Sequence, residues 1–256
     1  GPVVATISLA DIRLDNGRYD DARTLYERAL GRSKNHAWAY LGHSLALSER
    51  SVEIDKAVAD LNVGIPSKRG PRVDGYKHLA LATALLAQED YKSFAAELAQ
   101  ATGVSDPRFL ARVALLKTQQ GKLAEAAQAR AEIKWYADKP QPDPLVGILD
   151  AELRLASGLA RDAYAGVEKV EGLRASRLRG RALFVLCRSD SPRAREVVTR
   201  IAKGQGSPAV EARAIEYPGM FGGEASRKVL AEIYAAPSTD PESRRKVLHA
   251  FMLSQD

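Results

Sequence analysis

The chain has 256 residues, 45% of them hydrophobic, with 38 basic and 32 acidic side chains giving a net charge of +6. This composition excludes a disordered chain, and the mild basic excess permits an acidic partner without requiring one. A single cysteine, Cys187, excludes an internal disulfide and any zinc site built on several cysteines.

Strand signals are nearly absent. Apolar residues recur three and four apart in segments of about a dozen residues, which is the helical period. Short breakers separate the segments: Asp15-Asn16-Gly17, Gln120-Gly121, Ser157-Gly158, Asp190-Ser191-Pro192 and Gly222-Gly223. The expectation is an all-α chain of short antiparallel helices. The longest nearly apolar stretches, 79–87 and 182–187, are too short to cross a bilayer, so no membrane insertion is expected. No signal-peptide pattern opens the chain, and Gly1-Pro2 has the look of a protease scar.

In the first unit Leu9 and Ala10 fall on one helix, followed by Gly17, Tyr19, Ala22, Tyr26, Ala29 and Leu30. Gly17 permits a tight turn, the small Ala22 lets the second helix approach the first, and Tyr26 fills the gap to the next unit. This Gly-x-Tyr-x-x-Ala-x-x-x-Tyr-x-x-Ala spacing resembles the tetratricopeptide repeat. Trp38, Leu41 and Gly42 open a second unit in the family's manner, but its turn around Ser48 to Ile54 is longer and its small residue arrives late, at Ala57. The third unit has Leu81, Ala82, Leu85, Tyr91, Leu98 and Ala101, with Phe94 in the small residue's place. Val113, Ala114, Gly121, Leu123, Ala126 and Ile133 mark a fourth unit, and Ala151, Gly158, Ala163, Val167 and Val170 a fifth. Asp74, Asp106 before Pro107 and Asp143 before Pro144 are placed to cap the helices opening units three to five. Units recur about 31–37 residues apart, the period expected of helical repeats. The stretch 139–144 is the stiffest linker, so tetratricopeptide-like repeats occupy 3–138, and a linker with a degenerate repeat occupies 139–175.

From Ser176 the pattern changes. A helix through Leu186 ends at Ser189-Asp190-Ser191-Pro192, and a second covers Arg193 to Lys203. Pro208 to Tyr217, Gly222-Gly223 and Ala225 to Ala235 repeat the scheme, and Asp240-Pro241-Glu242 opens a third pair. The Asp-Pro openings and Gly or Asp turns resemble HEAT repeats over 176–256. Pro218, late in its helix, should kink or end it. The chain stops after a first helix whose Ala250, Phe251 and Leu253 supply no polar cap. The expectation is that the natural chain continues, or that a partner or a second copy covers this end in a homo-oligomer. Together the resemblances imply a right-handed α-solenoid of helix-turn-helix repeats.

In the tetratricopeptide family the first helix of each unit lines a concave groove. By that resemblance the partner-binding positions are His36, Ala39 and His43 in unit two, Tyr76 and Thr83 in unit three, and Arg108 in unit four. The lysine and asparagine set with which some members clamp a chaperone's terminal carboxylate is missing. The resemblance implies a non-catalytic scaffold or adaptor that binds a protein or peptide partner. His36 and His43 lie seven apart on one helical face, two turns too distant to chelate one ion, so no metal site is expected. Gly204-Gln205-Gly206-Ser207-Pro208-Ala209 has the letters of a dinucleotide fingerprint but follows a helix rather than a strand, so it reads as a turn and no cofactor is expected. No nucleophile elbow, phosphate loop or carboxylate pair appears, and no catalytic residue is assigned. Cys187 closes an apolar run and reads as a buried, inert thiol.

The charge is concentrated. Eight arginines against three acids between Glu171 and Arg200 give that segment most of the net charge. Arg174, Arg177, Arg181 and Arg188 fall on roughly one helical face, a basic surface for an acidic protein or for phosphates. Phe184 is expected in the core, which leaves no aromatic there for base stacking. Nucleic-acid binding through this stripe is the alternative function, and an accessory domain of a larger enzyme or signalling protein is another. The Ala/Arg-rich composition hints at a bacterial source and leaves cytoplasm or periplasm open.

Overall fold

The computed structural model describes residues 2–133, 143–189, 191–237 and 239–254. Among the described residues fifteen α-helices and no strands occur. Most of the expected 139–144 linker lies outside them, as do Asp190 and the terminal Gln255-Asp256. The chain divides into two compact units, Gly1–Leu149 with Glu171–Leu173, and Asp150–Val170 with Arg174–Asp256.

The first unit contains α1 (Pro2–Asp15), α2 (Tyr19–Arg32), α3 (Ala37–Arg50), α4 (Ile54–Gly64), α5 (Pro71–Ala87), α6 (Tyr91–Gln100), α7 (Pro107–Gln119) and α8 (Leu123–Glu132). Each odd-numbered helix packs on the helix that follows it, and α1, α3, α5 and α7 also pack successively on one another. The local cause is a repeated turn. At Gly17, Glu89 and Gly121 the backbone is left-handed, with φ of 70°, 62° and 81°. The next N–H bonds the carbonyl five residues back: Arg18 to Arg13, Asp90 to Leu85, Lys122 to Lys117. This closure satisfies carbonyls that the helix end would otherwise orphan. Five residues after each left-handed position comes a side chain buried against the preceding helix: Ala22, Phe94 and Ala126. In the α3–α4 turn Ser51 takes the left-handed position (φ 59°) and Val52 closes on Leu47, but Glu53 (φ 47°) is inserted before α4. That single extra residue is the longer turn expected from the sequence, and it delays the buried Ala57 by one place.

Gly42 of α3 lies against the ring of Tyr26 from α2, where any Cβ would collide with the aromatic carbons. Tyr26 is fully buried as a result. Asp106 caps α7 by accepting from the Phe109 N–H at 3.0 Å, and the Asp143 carboxylate accepts from Leu145 N–H at 3.0 Å. Asp74 does not cap. Pro71 sets the start of α5, and Asp74, in its first turn, reaches back to the Arg69 N–H at 2.9 Å.

α9 (Pro144–Ala156) spans the division between the units. The second unit continues with α10 (Ala160–Val167), α11 (Leu173–Cys187, from Arg174), α12 (Pro192–Ala202), α13 (Pro208–Phe221), α14 (Gly223–Ala235) and α15 (Pro241–Leu253). The α9–α10 turn repeats the earlier closure, with Gly158 at φ 80°, Leu159 bonded to Arg154, and Ala163 buried five residues on. Tyr164, Leu183, Val198, Ile215, Leu230 and Val247 anchor one continuous core. Pro218 does not end α13, which runs on to Phe221 and stops at Gly222. The segment carrying Gly204 (φ 91°) and Gly206 is a turn between α12 and α13.

A left-handed Glu costs about 1–2 kcal/mol that a glycine does not. Glu89→Gly therefore raises stability by about 1 kcal/mol and Gly121→Ala lowers it by about as much, read from urea denaturation followed by circular dichroism.

Candidate functional site

One charge interrupts the apolar run from Phe109 to Leu116 on α7. It belongs to Arg112, whose guanidinium is buried. Nη2 donates to Asp15 Oδ1 of α1 at 2.9 Å, and Nη1 donates to Glu49 Oε1 of α3 at 3.4 Å. One turn earlier Arg108 pairs with Asp15 and lies 3.6 Å from Asp11. The Tyr26 hydroxyl donates to Asp11 Oδ1 at 2.5 Å, and that of Tyr19 donates to Glu49 Oε2 at 3.4 Å. Burial opposes the Arg112 charge, but the Asp15 and Glu49 carboxylates outweigh it and hold the guanidinium pKa above its ordinary value. Burial pushes the Asp11 carboxyl up, against the Tyr26 hydrogen bond and Arg108.

This network floors a cleft of about 650 Å³ lined from α1, α3, α5 and α7. Trp38 meets Tyr76 edge-on at 5.3 Å, and Tyr76 meets Phe109 at 5.1 Å. The Arg72 guanidinium stands over the Trp38 ring at 4.9 Å, with its Nε 3.6 Å from Asp106 Oδ2. Asp106 Oδ1 accepts from the Tyr76 hydroxyl at 2.8 Å, and burial together with the Asp106 charge drives that hydroxyl far above its ordinary pKa. His36 Nδ1 is buried and makes no hydrogen bond. Asp11, Asp15 and Asp106 face Arg72, Arg108 and Arg112, so the lining is charged but balanced.

Of the groove positions expected from the sequence, His36, Tyr76 and Arg108 come together in this cleft. Ala39, His43 and Thr83 do not. Ala39 is in the core, and the Thr83 hydroxyl bonds the Leu79 carbonyl within its own helix at 2.8 Å. His43 is buried, with Nδ1 2.6 Å from Asp60 and Nε2 3.3 Å from Glu27. The two histidines therefore do not share a face. His36 precedes the first turn of α3 in an extended conformation, so the helical period does not relate it to His43.

On α11, Arg177 and Arg181 are exposed and Arg174 is half-buried, and Arg188, in the turn just after the helix, is exposed. Arg181 Nη1 sits 3.0 and 2.8 Å from the two carboxylate oxygens of Glu152. Arg188 stands 5.9 Å from the rings of both Phe184 and Phe221. Phe184 is not in the core. The inner face of α11 is filled by Leu178, Ala182, Leu183 and Leu186, which leaves Phe184 37% exposed.

Sequence reasoning missed Arg112 and Arg72. For Arg112 a signal exists, a lone charge inside an apolar helical run, which demands a buried partner. Arg72 becomes part of the cleft only through helices distant in sequence. Among the described residues no group of three His, Cys, Asp or Glu side chains could hold a metal ion, and no helix is long and apolar enough to cross a membrane.

No protein-family model, curated protein or solved structure matches the chain.

Truncating Arg112 leaves the buried Glu49 carboxylate without its cation and leaves Asp15 only Arg108. Arg112→Ala is expected to cost about 3–5 kcal/mol in chemical denaturation, against less than about 1 kcal/mol for the exposed Arg72→Ala. Burial pushes the half-buried Cys187 thiol up to about 12. At pH 8 Cys187 should therefore react with Ellman's reagent at least about tenfold faster in urea than in the native chain, followed by release of the coloured thiolate.

Proposed function

We propose that this chain is a non-catalytic helical-repeat scaffold, tetratricopeptide-like in its first unit and HEAT-like in its second, which captures an extended segment of a partner protein in the α1–α3–α5–α7 cleft. The observation that carries this reading is the meeting of four non-consecutive helices around one cleft, with His36, Tyr76 and Arg108 contributed from three repeat positions. The recurring left-handed turn, the buried residue five places on and the seating of Tyr26 against Gly42 support the repeat assignment. Within each unit such pairs stack as a right-handed solenoid.

The cleft suits a peptide better than a reaction. Its arginines and aspartates are already matched to one another, and the Tyr76 hydroxyl is held protonated by burial and by Asp106. Trp38 and Arg72 offer an aromatic wall with a cation above it, and Val4, Ile7 and Leu45 offer apolar surface. These features bind side chains of mixed character rather than polarise a bond.

A photo-cross-linking residue placed at His36 should trap a partner segment, whereas the same residue at the exposed Lys92 of α6 should not. Arg72→Glu, which inverts the charge over Trp38, should cut the yield at least about fivefold. Equal trapping at both positions, or a yield indifferent to Arg72→Glu, would overturn the reading.

A further inference from the structure

The second unit carries a different surface. Along α11, Arg177, Arg181, Phe184 and Val185 are all exposed and recur at the helical period, and the exposed Arg188 follows in the turn, so one side of the helix mixes cations with apolar groups. α13 lies alongside and supplies Arg213 and Tyr217. Between them runs a groove of about 690 Å³ whose lining includes three arginines, 177, 181 and 213, and no acidic residue.

Two details show how the groove is built. Gly180 is buried on α11, and a Cβ there would collide with the Arg213 guanidinium, so the missing side chain seats Arg213 across the helix. Glu152, with only 5% of its side chain exposed, neutralises Arg181 from beneath. Among the described residues no carboxylate pairs with Arg213, so the lining keeps a positive charge. Phe184 packs edge-on against Tyr217 at 5.5 Å and Phe221 at 5.0 Å, and Arg188 extends the positive row above them.

We propose that this α11–α13 groove docks an acidic amphipathic segment of a protein partner, its carboxylates meeting Arg181 and Arg213 and its apolar side chains covering Phe184, Val185 and Tyr217. The charge of the lining selects an anion, and the exposed apolar groups select one that also carries apolar side chains. A nucleic acid satisfies the arginines alone. Phe184 packs edge-to-face on Tyr217 and Phe221 beneath Arg188, which leaves it no open stacking platform for bases. The proposal does not rest on the reading of the α1–α7 cleft.

The test uses the full chain as bait for a phage-displayed library of random 12-residue peptides (about 12 suffices for three helical turns). Enriched peptides should combine at least two acidic residues with an aromatic or branched aliphatic one. A fluorescein-labelled peptide made from them should bind more tightly as salt is lowered and protect amides of α11 and α13, rather than those of α3 and α5, from hydrogen exchange. Arg213→Glu and Phe184→Ser should each weaken it at least about tenfold in chains whose circular dichroism is unchanged. Gly180→Ala, which displaces Arg213 without removing its charge, should weaken it about threefold or more. Failure to enrich any peptide, enrichment of neutral or basic ones, indifference to these variants, protection of α3 and α5 instead, or tighter binding of a labelled oligothymidylate at the same salt would each overturn the proposal.

Discussion

The first unit depends on one buried guanidinium. Arg112 reaches from α7 to Asp15 of α1 and Glu49 of α3, across sequence separations of 97 and 63 residues. A charge removed from water is costly unless its partners are held in place, and these are held. Tyr19 bonds the other oxygen of Glu49, and Arg108 shares Asp15 and stands near Asp11. The planar fork of an arginine can address carboxylates on two helices at once, which a lysine's single ammonium does less well. Because the same guanidinium floors the cleft, the requirement that fixes α1, α3 and α7 relative to one another also fixes the shape of the cleft. Stability and the shape of the cleft are therefore one constraint here.

What the sequence revealed best was local. Gly17, Gly121 and Gly158 mark left-handed closures, and Ala22, Ala126 and Ala163 mark the close approach five residues later, because both depend only on the chain within one turn of helix. The third unit departs from the pattern by Phe94 in the small residue's place, and its turn puts Glu89 in the left-handed position that glycine favours. It nevertheless closes with the same hydrogen bonds. The backbone geometry is imposed by the helix pair, and a non-glycine residue adopts it at a cost rather than altering the fold.

What remained hidden was whatever needs a helix's phase or a distant neighbour. His36 and His43 diverge because the helix begins between them, and one residue of uncertainty in a helix start is enough to undo an inference drawn from heptad spacing. Ala39 and Thr83 face the interior because α3 and α5 are covered on more than one side, so an apparent groove position can be core. Phe184 illustrates the opposite error. Six consecutive apolar residues wrap the whole circumference of a helix, and some of them must lie on the outer side whichever face is buried.

The same distinction governs the charge. The concentration of arginines between 171 and 200 is real, but the fold divides it. Arg179 donates to the Val167 and Val170 carbonyls at 2.7 and 2.5 Å, at the C-terminal end of α10 where a helix favours a cation, and Arg200 pairs with Glu168 at 3.1 Å. Arg213, outside the conspicuous segment, joins the surface instead. The two candidate surfaces consequently differ in kind. In the α1–α7 cleft aspartates match arginines, so net attraction is small and selectivity must come from shape and from hydrogen bonds to groups such as His36 Nδ1. In the α11–α13 groove positive charge is left over, so attraction acts at a distance of about a Debye length, roughly 8 Å at physiological salt, and fades as salt rises. A count of charges along the sequence cannot separate these two behaviours, because it is the pairing of each guanidinium, and not its presence, that decides what a partner meets.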